Sequence, residues 1–478
     1  MACIRNYFLE EGDVDQAADL ENDFLFSRDR RTRETIPHLT LNVHDDSFFR
    51  SVILERPNTG RQVPQKSYRS NERLLDAFQV VTEYLGNLVK IHSNNPEKIL
   101  LDWVEFIQYQ AKVIWVVVPD DSNAFTIFET LNDRGLDLAI SDLLKNYLLS
   151  RSGTDKLAET QARWLEMVGI LESTAEDDIL VTFLRHYWSS LYGLTRERDL
   201  YKQVKRKISN ARAAADFAVQ LSNAARVYSA LANPSHELWN EYGTTAKGHI
   251  ATLNLLRMTQ MRPLLLAIVE KLPIQEARKA FGYLVACAVR LLIVGSRGGT
   301  IEGTYSDVAK KVREGALKNA SAMRKEMEAI YPPDSQFRDA FAVATVSKEY
   351  LARYYLRALE KAAKGEPDPE YVPNPNEEEV NLEHIIPEKP NNNWPGLTID
   401  QCKSLYRRIG NLALLKAADN VSIGNKPFEE KKKVLKKSAF LLTSEVAKKP
   451  NWNEETINER QKSLADFAVQ VWSSRFTP

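Results

Sequence analysis

The chain has 478 residues, too many for one ordinary core, so about two or three domains of ~100 to 200 residues are expected and a single small module is excluded. Hydrophobic residues make up 44% and charged residues 27%, the balance of a globular chain with apolar surface to bury, which argues against wholesale disorder. The 64 Lys and Arg cancel the 64 Asp and Glu, so any attraction to a polyanion must come from uneven distribution of charge rather than from its total.

Cys3, Cys287 and Cys402 lie far apart with no CxxC pair, which excludes a zinc knuckle, speaks against a disulfide framework and points to a reducing cytoplasm. Met1-Ala2-Cys3-Ile4-Arg5, followed by Glu10, Glu11 and Asp13, lacks the cationic-then-apolar layout of a signal peptide. The longest apolar stretch, Phe281 to Gly295, carries Arg290 and falls short of the ~20 residues that span hydrocarbon. It reads as a buried helix, and no membrane partner is expected.

From Ile4 to about Ile91 acidic helical stretches surround a short strand-like piece, Pro37 to Val43. Pro57, Gly60 and Pro64 mark a surface loop, and a helix is expected from about Asn71 to Val89. The β-branched run Lys112 to Val118 predicts a buried strand, then a helix carrying Ala124, Ile127, Phe128 and Leu131. The turn Asn132-Asp133-Arg134-Gly135 follows, then a helix from Ser141. From about Asp155 to Lys364 nearly every segment has 3.6-residue periodicity, broken at Asn233-Pro234, Pro273, Gly298-Gly299 and Pro332-Pro333, which predicts a long helical domain. Closely spaced prolines at 367, 369, 373 and 375 then predict a rigid acidic linker over 365–375.

The charge changes sign across this boundary. Between Lys361 and Asp400 three basic residues face nine acidic ones, whereas Gln401 to Pro450 holds twelve basic against four acidic. Within this region Val380 to Glu388 forms an apolar strand with Glu383 and His384 at its centre. Adjacent strand residues point to opposite faces, so the two can share a site only where the strand ends or bends, as Pro387 permits. Twenty-seven residues after His384 comes the short strand Gly410-Asn411-Leu412-Ala413-Leu414-Leu415, and nine after Asn411 comes Asn420, entering a Lys-rich helix that continues through Phe428, Glu430 and Lys433.

Glu-His, Asn and Asn in that order, on strand, strand and helix, resemble the HNH or His-Me finger nuclease motif. Taken singly, each residue has a plainer explanation: a Glu-His pair is more often structural, Asn411 a turn residue, Asn420 an N-cap, the lysine run a solvated face. Their order and spacing together favour the nuclease. Phosphodiester hydrolysis needs an activated water and a cation to offset charge on the phosphoryl oxygens. His384, with an ordinary pKa of ~6.5, can accept the proton from water near pH 7. The resemblance implies Mg²⁺ or Mn²⁺ held by Glu383 and the amide oxygen of Asn420, with Asn411 orienting the loop that presents His384. Arg407, Arg408, Lys426, Lys431, Lys432, Lys433, Lys436 and Lys437 are expected to contact phosphates without reading sequence.

A second resemblance extends over nearly the whole chain. Ile127-Phe128-Glu129-Thr130-Leu131-Asn132-Asp133-Arg134-Gly135, running into Ser141-Asp142-Leu143-Leu144-Lys145, is similar to the Phe-Glu-x-x-Asn-x-x-Gly signature of GmrSD-like type IV restriction enzymes. Those enzymes join a ParB-like nucleotide-hydrolysing domain to a C-terminal HNH domain that cuts modified foreign DNA, such as that of phages. The family's Asp-Gly-Gln-Gln-Arg motif is absent here, so nucleotide hydrolysis does not carry over, and the chain is expected to begin just after that motif. Glu129, Asn132 and Arg134 are the remaining candidates for nucleotide contact.

Phe183, Tyr187, Trp188 and Tyr192 form an aromatic stripe read as core, and the other six histidines show no metal-ligand spacing. The expected architecture is a mainly α-helical multidomain protein. It comprises a truncated α/β ParB-like part (1–154), a helical scaffold (155–364), the linker (365–375) and a ββα-metal, His-Me finger nuclease domain (376–478). The expected function is metal-dependent cleavage of DNA in restriction of modified phage DNA. The rivals are an idle nucleic-acid-binding or regulatory homologue, and a nuclease subunit needing a missing N-terminal nucleotide-hydrolysing segment; the partners considered beside DNA are a second copy of the chain and a separate N-terminal partner.

Overall fold

Apolar periodicity draws most of the chain into helix. In the computed structural model, which describes residues 1–41, 45–57, 69–112, 140–174, 179–295, 298–365, 380–390 and 393–473, the polypeptide divides into two units, Met1–Phe128 and Glu129–Pro478.

In the first unit, helices α1 (Ala2–Glu10), α2 (Val14–Leu20), α4 (Arg69–Ile91) and α5 (Pro96–Glu105) close a core of Ile4, Phe8, Ala17, Leu20, Leu85, Leu100 and Val104. The side chains of Asp13 and Asn95 cap α2 and α5. Arg5 is fully buried on α1, where it pairs with Glu21 and donates to the carbonyls of Leu54 (3.1 Å) and Glu55 (3.0 Å). The Glu21 carboxylate also takes Arg56 at 2.5 Å, and these two guanidinium groups hold its pKa below the ordinary range against the opposing effect of burial.

A two-stranded antiparallel ribbon, β1 (Phe26–Arg28) and β2 (Thr35–Pro37), precedes the short α3 (Asp46–Phe49). The strand expected over 37–43 therefore lies upstream: it ends at Pro37, which lacks the N–H that would extend the ladder, and residues 38–41 are not strand. The helix expected from Asn71 to Val89 is α4. The strand expected over 112–118, the helix after it and the turn bearing Glu129, Asn132 and Arg134 lie outside the described residues, apart from Lys112, which is not in a strand.

The second unit opens with α6 (Ile140–Ser152), α7 (Thr154–Glu172), α8 (Ile179–Tyr192), α9 (Glu197–Lys207) and α10 (Ala211–Ala232). It continues with α11 (Trp239–Leu255), broken at Gly243, then α12 (Arg262–Lys271), α13 (Ile274–Val294), α14 (Gly299–Arg313), α15 (Ala320–Glu326), α16 (Asp334–Val343) and α17 (Glu349–Ala363). The helix ends follow the Pro and Gly punctuation, because proline cannot donate within a helix and Gly295 adopts the left-handed cap at φ +77°. Phe183, Tyr187 and Trp188 are core residues, whereas Tyr192 is 40% exposed under the Lys207 ammonium.

Helix α13 is buried as expected, and Arg290 within it is a tie rather than an interruption. Its Nε donates to the Trp472 carbonyl (2.8 Å) and Nη1 to the Pro332 carbonyl (2.9 Å), while Nη2 pairs with Asp334 at 2.7 Å. Beyond 365 come strand β3 (Val380–His384), α18 (Ile399–Tyr406), strand β4 (Leu412–Lys416), α19 (Ala417–Ile423), α20 (Phe428–Leu435), α21 (Leu441–Val446) and α22 (Glu454–Val471).

These elements share one body with the helices before them. Gln461 of α22 donates to the carbonyls of Phe341 (2.8 Å) and Ala344 (2.9 Å), and Glu360 of α17 accepts the N–H groups of Leu441 and Leu442 at the start of α21. Of the expected linker, all but Gly365 lies outside the described residues. No helix among the described residues is long and apolar enough to cross a membrane.

Arg290→Met leaves the Pro332 carbonyl without its donor, while the Trp472 carbonyl keeps the Tyr331 hydroxyl at 3.3 Å. It is expected to cost roughly 1–3 kcal/mol, the figure for one buried group left unpaired, read as a lower midpoint in urea denaturation.

Candidate active site

Strands β3 and β4 pair antiparallel with His384 opposite Leu412, Glu383 opposite Ala413 and Val380 opposite Lys416. Alternation then divides the Glu-His pair. Glu383 shares the Ala413 and Leu415 face, which packs on Phe428, Leu435 and Trp452, whereas His384 closes β3 on the other face with Leu382, Leu412 and Leu414.

The His384 ring is partly exposed and stacks on Tyr406, with centroids 3.8 Å apart and planes 15° apart. Its Nδ1 lies 2.9 Å from the Tyr406 carbonyl oxygen. A carbonyl can only accept, so Nδ1 carries the proton and the lone pair stands on Nε2, which has no hydrogen-bond partner among the described residues. Burial pushes the imidazole pKa below its ordinary value, opposed by the Tyr406 hydrogen bond and the Glu349 carboxylate and aided by Lys431 and Arg407.

Asn411 is fully buried and uses all four hydrogen-bonding positions of its carboxamide. Oδ1 accepts from the Ile386 N–H (2.9 Å) and the Trp452 indole (3.0 Å), and Nδ2 donates to the carbonyls of Ile386 (2.9 Å) and Tyr406 (3.3 Å). It thus reaches the imidazole through the carbonyl they share. Gly410 is required by packing: a Cβ there would stand 2.5 Å from the Ile457 carbonyl oxygen and 2.8 Å from Gln461 Cβ on α22.

Glu383 is 4% exposed and pairs with Lys431 Nζ at 2.5 Å; the same ammonium donates to the His384 carbonyl at 3.1 Å. Burial pushes the carboxyl up and the ammonium down, and their contact opposes both shifts. Asn420 lies in α19, a helix separate from α20 because Gly424 and Pro427 break the chain between them. Its Nδ2 donates to the Leu382 carbonyl at 3.3 Å. A divalent ion on Glu383 would have to displace the buried ammonium, so in this arrangement Glu383 and Asn420 do not fit as a metal-holding pair. Among the described residues no group of three or more His, Cys, Asp and Glu could hold a metal.

Two expected phosphate contacts are corrected. Lys431 is fully buried, because it falls on the inward stripe of α20 with Phe428 and Leu435. The Arg408 guanidinium is spent inside, on Gln461 Oε1 (2.9 Å), Asn458 Oδ1 (2.9 Å) and the Ala342 carbonyl (3.1 Å). Lys432 is partly buried beside Glu429 and Phe428. Arg407, Lys426, Lys433, Lys436 and Lys437 are exposed, and Arg407 is tied to the imidazole by lying 5.9 Å from the centroid of the Tyr406 ring that stacks on it. Sequence reasoning missed Tyr406 and Trp452, since no local pattern marks a carbonyl acceptor or an indole 41 positions beyond Asn411. The Phe428, Lys431, Leu435 spacing was a usable signal that Lys431 turns inward.

A partly exposed imidazole with a fixed tautomer, beside an exposed guanidinium, can take a proton from water next to an anionic substrate. The profile of the GmrSD restriction endonuclease N-terminal domain matches residues 8–149, and that of the GmrSD restriction endonucleases C-terminal domain matches residues 331–467. The chain belongs to the GmrSD restriction endonucleases, and its substrate is DNA. The N-terminal match includes Glu129, Asn132 and Arg134; the C-terminal match takes in α16 and α17 with the hairpin. No curated protein matches the chain.

Asn411→Ala removes the partners of two Ile386 backbone groups and the Trp452 indole together. It is expected to destabilise by about 3 kcal/mol or more, at about 1–3 kcal/mol per unpaired buried group, seen as a lowered urea midpoint and altered Trp fluorescence.

Proposed function

We propose that the chain hydrolyses DNA phosphodiester bonds with His384 as general base, acting on modified foreign DNA. The observation that carries this reading is the contact between Nδ1 and the Tyr406 carbonyl, which leaves the Nε2 lone pair free to accept a proton from the attacking water. Asn411 holds that carbonyl, and Arg407 supplies positive charge where phosphate would approach. The remaining exposed lysines of the basic segment give a sequence-neutral grip. Selectivity for modified DNA is assigned to residues upstream of the hairpin on family resemblance. Mg²⁺ or Mn²⁺ would offset charge on the phosphoryl oxygens. Glu383 is not free to hold such an ion, because it is committed to Lys431.

Purified chain with Mg²⁺ or Mn²⁺ is expected to nick modified plasmid DNA, and His384→Ala to lower the rate by about 10²-fold or more while DNA binding persists. Equal nicking by both proteins would reject His384 as the base.

The pH profile supplies a second test. A base acts in its neutral form, so activity is complete above its folded pKa and lost as pH falls through it. Because burial lowers that pKa, the acid limb of kcat/KM is expected below the ordinary ~6.5. A limb centred above pH 7 would contradict the assignment.

A further inference from the structure

We propose that Lys431 is the resident cation and positioning residue of the His384 centre, so that Glu383 anchors this ammonium and is not a ligand for a divalent ion. The proposal deepens the reading of His384 as base, and its positioning half rests on that reading.

An ammonium has three donors. One is on Glu383 Oε1 at 2.5 Å and one on the His384 carbonyl at 3.1 Å, while the ring of Trp394 lies 5.9 Å from Nζ. The Lys431 side chain is fully buried and that of Glu383 is 5% exposed, so each charge is compensated chiefly by the other. Lys431 has no surface to retreat to, since Phe428 and Leu435 hold its stripe of α20 inward.

The contact falls at the end of β3, where the chain leaves the ladder. There His384 is held from two sides. Its ring is fixed through the Tyr406 carbonyl that Asn411 also binds, and its own carbonyl is fixed by Lys431. The next two N–H groups, of Ile385 and Ile386, go to the backbone and side-chain oxygens of Asn411. Lys431 completes this set, because without it the His384 carbonyl and the Glu383 carboxylate both lose the donor that places them.

The test uses the full chain, Glu383→Gln, Lys431→Met, the double variant and His384→Ala. Mn²⁺ binding is followed by the paramagnetic resonance of free Mn²⁺, the His384 tautomer by ¹⁵N-histidine NMR, and cleavage by plasmid nicking. Glu383→Gln is expected to titrate Mn²⁺ as the unaltered chain does. Lys431→Met is expected to lose the fixed Nδ1–H signature and roughly 10- to 100-fold in kcat, with KM for DNA unchanged, because misplacing a reacting group costs rate more than affinity.

Weakening of Mn²⁺ binding by Glu383→Gln of about 10-fold or more, the loss that follows removal of a metal's supporting ligands, would overturn the assignment of Glu383. A Lys431→Met protein with unaltered tautomer and kcat would overturn the positioning role. If Lys431→Met alone does not fold, the double variant, which removes both charges together, carries the same comparison. Equal nicking by His384→Ala would reject the base and the positioning role with it, whereas the Mn²⁺ titration judges Glu383 independently.

Discussion

The buried carboxamide of Asn411 is the constraint on which the C-terminal region depends. It joins the chain leaving β3, the turn after α18 and the segment before α22, three stretches with no local reason to meet. Asparagine suits this position because it offers two donors and two acceptors on one rigid plane, and each finds a partner. Leaving any of them unpaired in a buried site would be costly, so the carboxamide selects one arrangement of all three stretches. The imidazole inherits that order at one remove, since the Tyr406 carbonyl that fixes its tautomer is held by the same amide.

Positive charge in this region does two different jobs. Arg408 binds backbone and amide oxygens between α16 and α22, and Arg460, partly exposed, donates to the carbonyls of Gly410 (2.7 Å) and Leu412 (2.8 Å) at the start of β4. Burial lowers the Arg460 pKa to about 10, still high enough to keep the guanidinium charged at neutral pH. Lys431 is the third such cation. The basic excess read between Gln401 and Pro450 therefore overstates the charge open to solvent, which falls to Arg407 and the exposed lysines.

Legibility in the sequence followed the range of the interaction. Helix ends at Ala232, Val294 and Asp334 were readable because Pro and Gly act on their own neighbourhood. The two C-terminal strands and their order were readable from β-branched and apolar runs, although the helix after them is two helices, divided at Gly424 and Pro427. Strand alternation also warned that Glu383 and His384 face apart. Alternation gives the face but not the occupant, and the partner of Glu383 lies 48 positions away on another helix. Lys431 looked like one member of a solvated lysine run because its partner is set by tertiary packing, which composition does not encode.

The same long-range logic determines how much chain the hairpin needs. Gln461 accepts from the Gly410 N–H (3.1 Å) while donating to Phe341 and Ala344, and the Arg407 carbonyl accepts the Val346 N–H at 2.9 Å. The turn that carries Tyr406, Gly410 and Asn411 is therefore braced from the α16–α17 junction as well as from α22. Cutting at the Pro-rich stretch would leave the Gln461 amide without the two carbonyls that receive it, take the Ala342 carbonyl from Arg408, and strip Glu360 from the start of α21. The family profile beginning at residue 331 coincides with this physical limit. The smallest piece able to hold His384 in register thus starts before Asp334, because the order of the loop around His384 is maintained by helices that precede it in sequence.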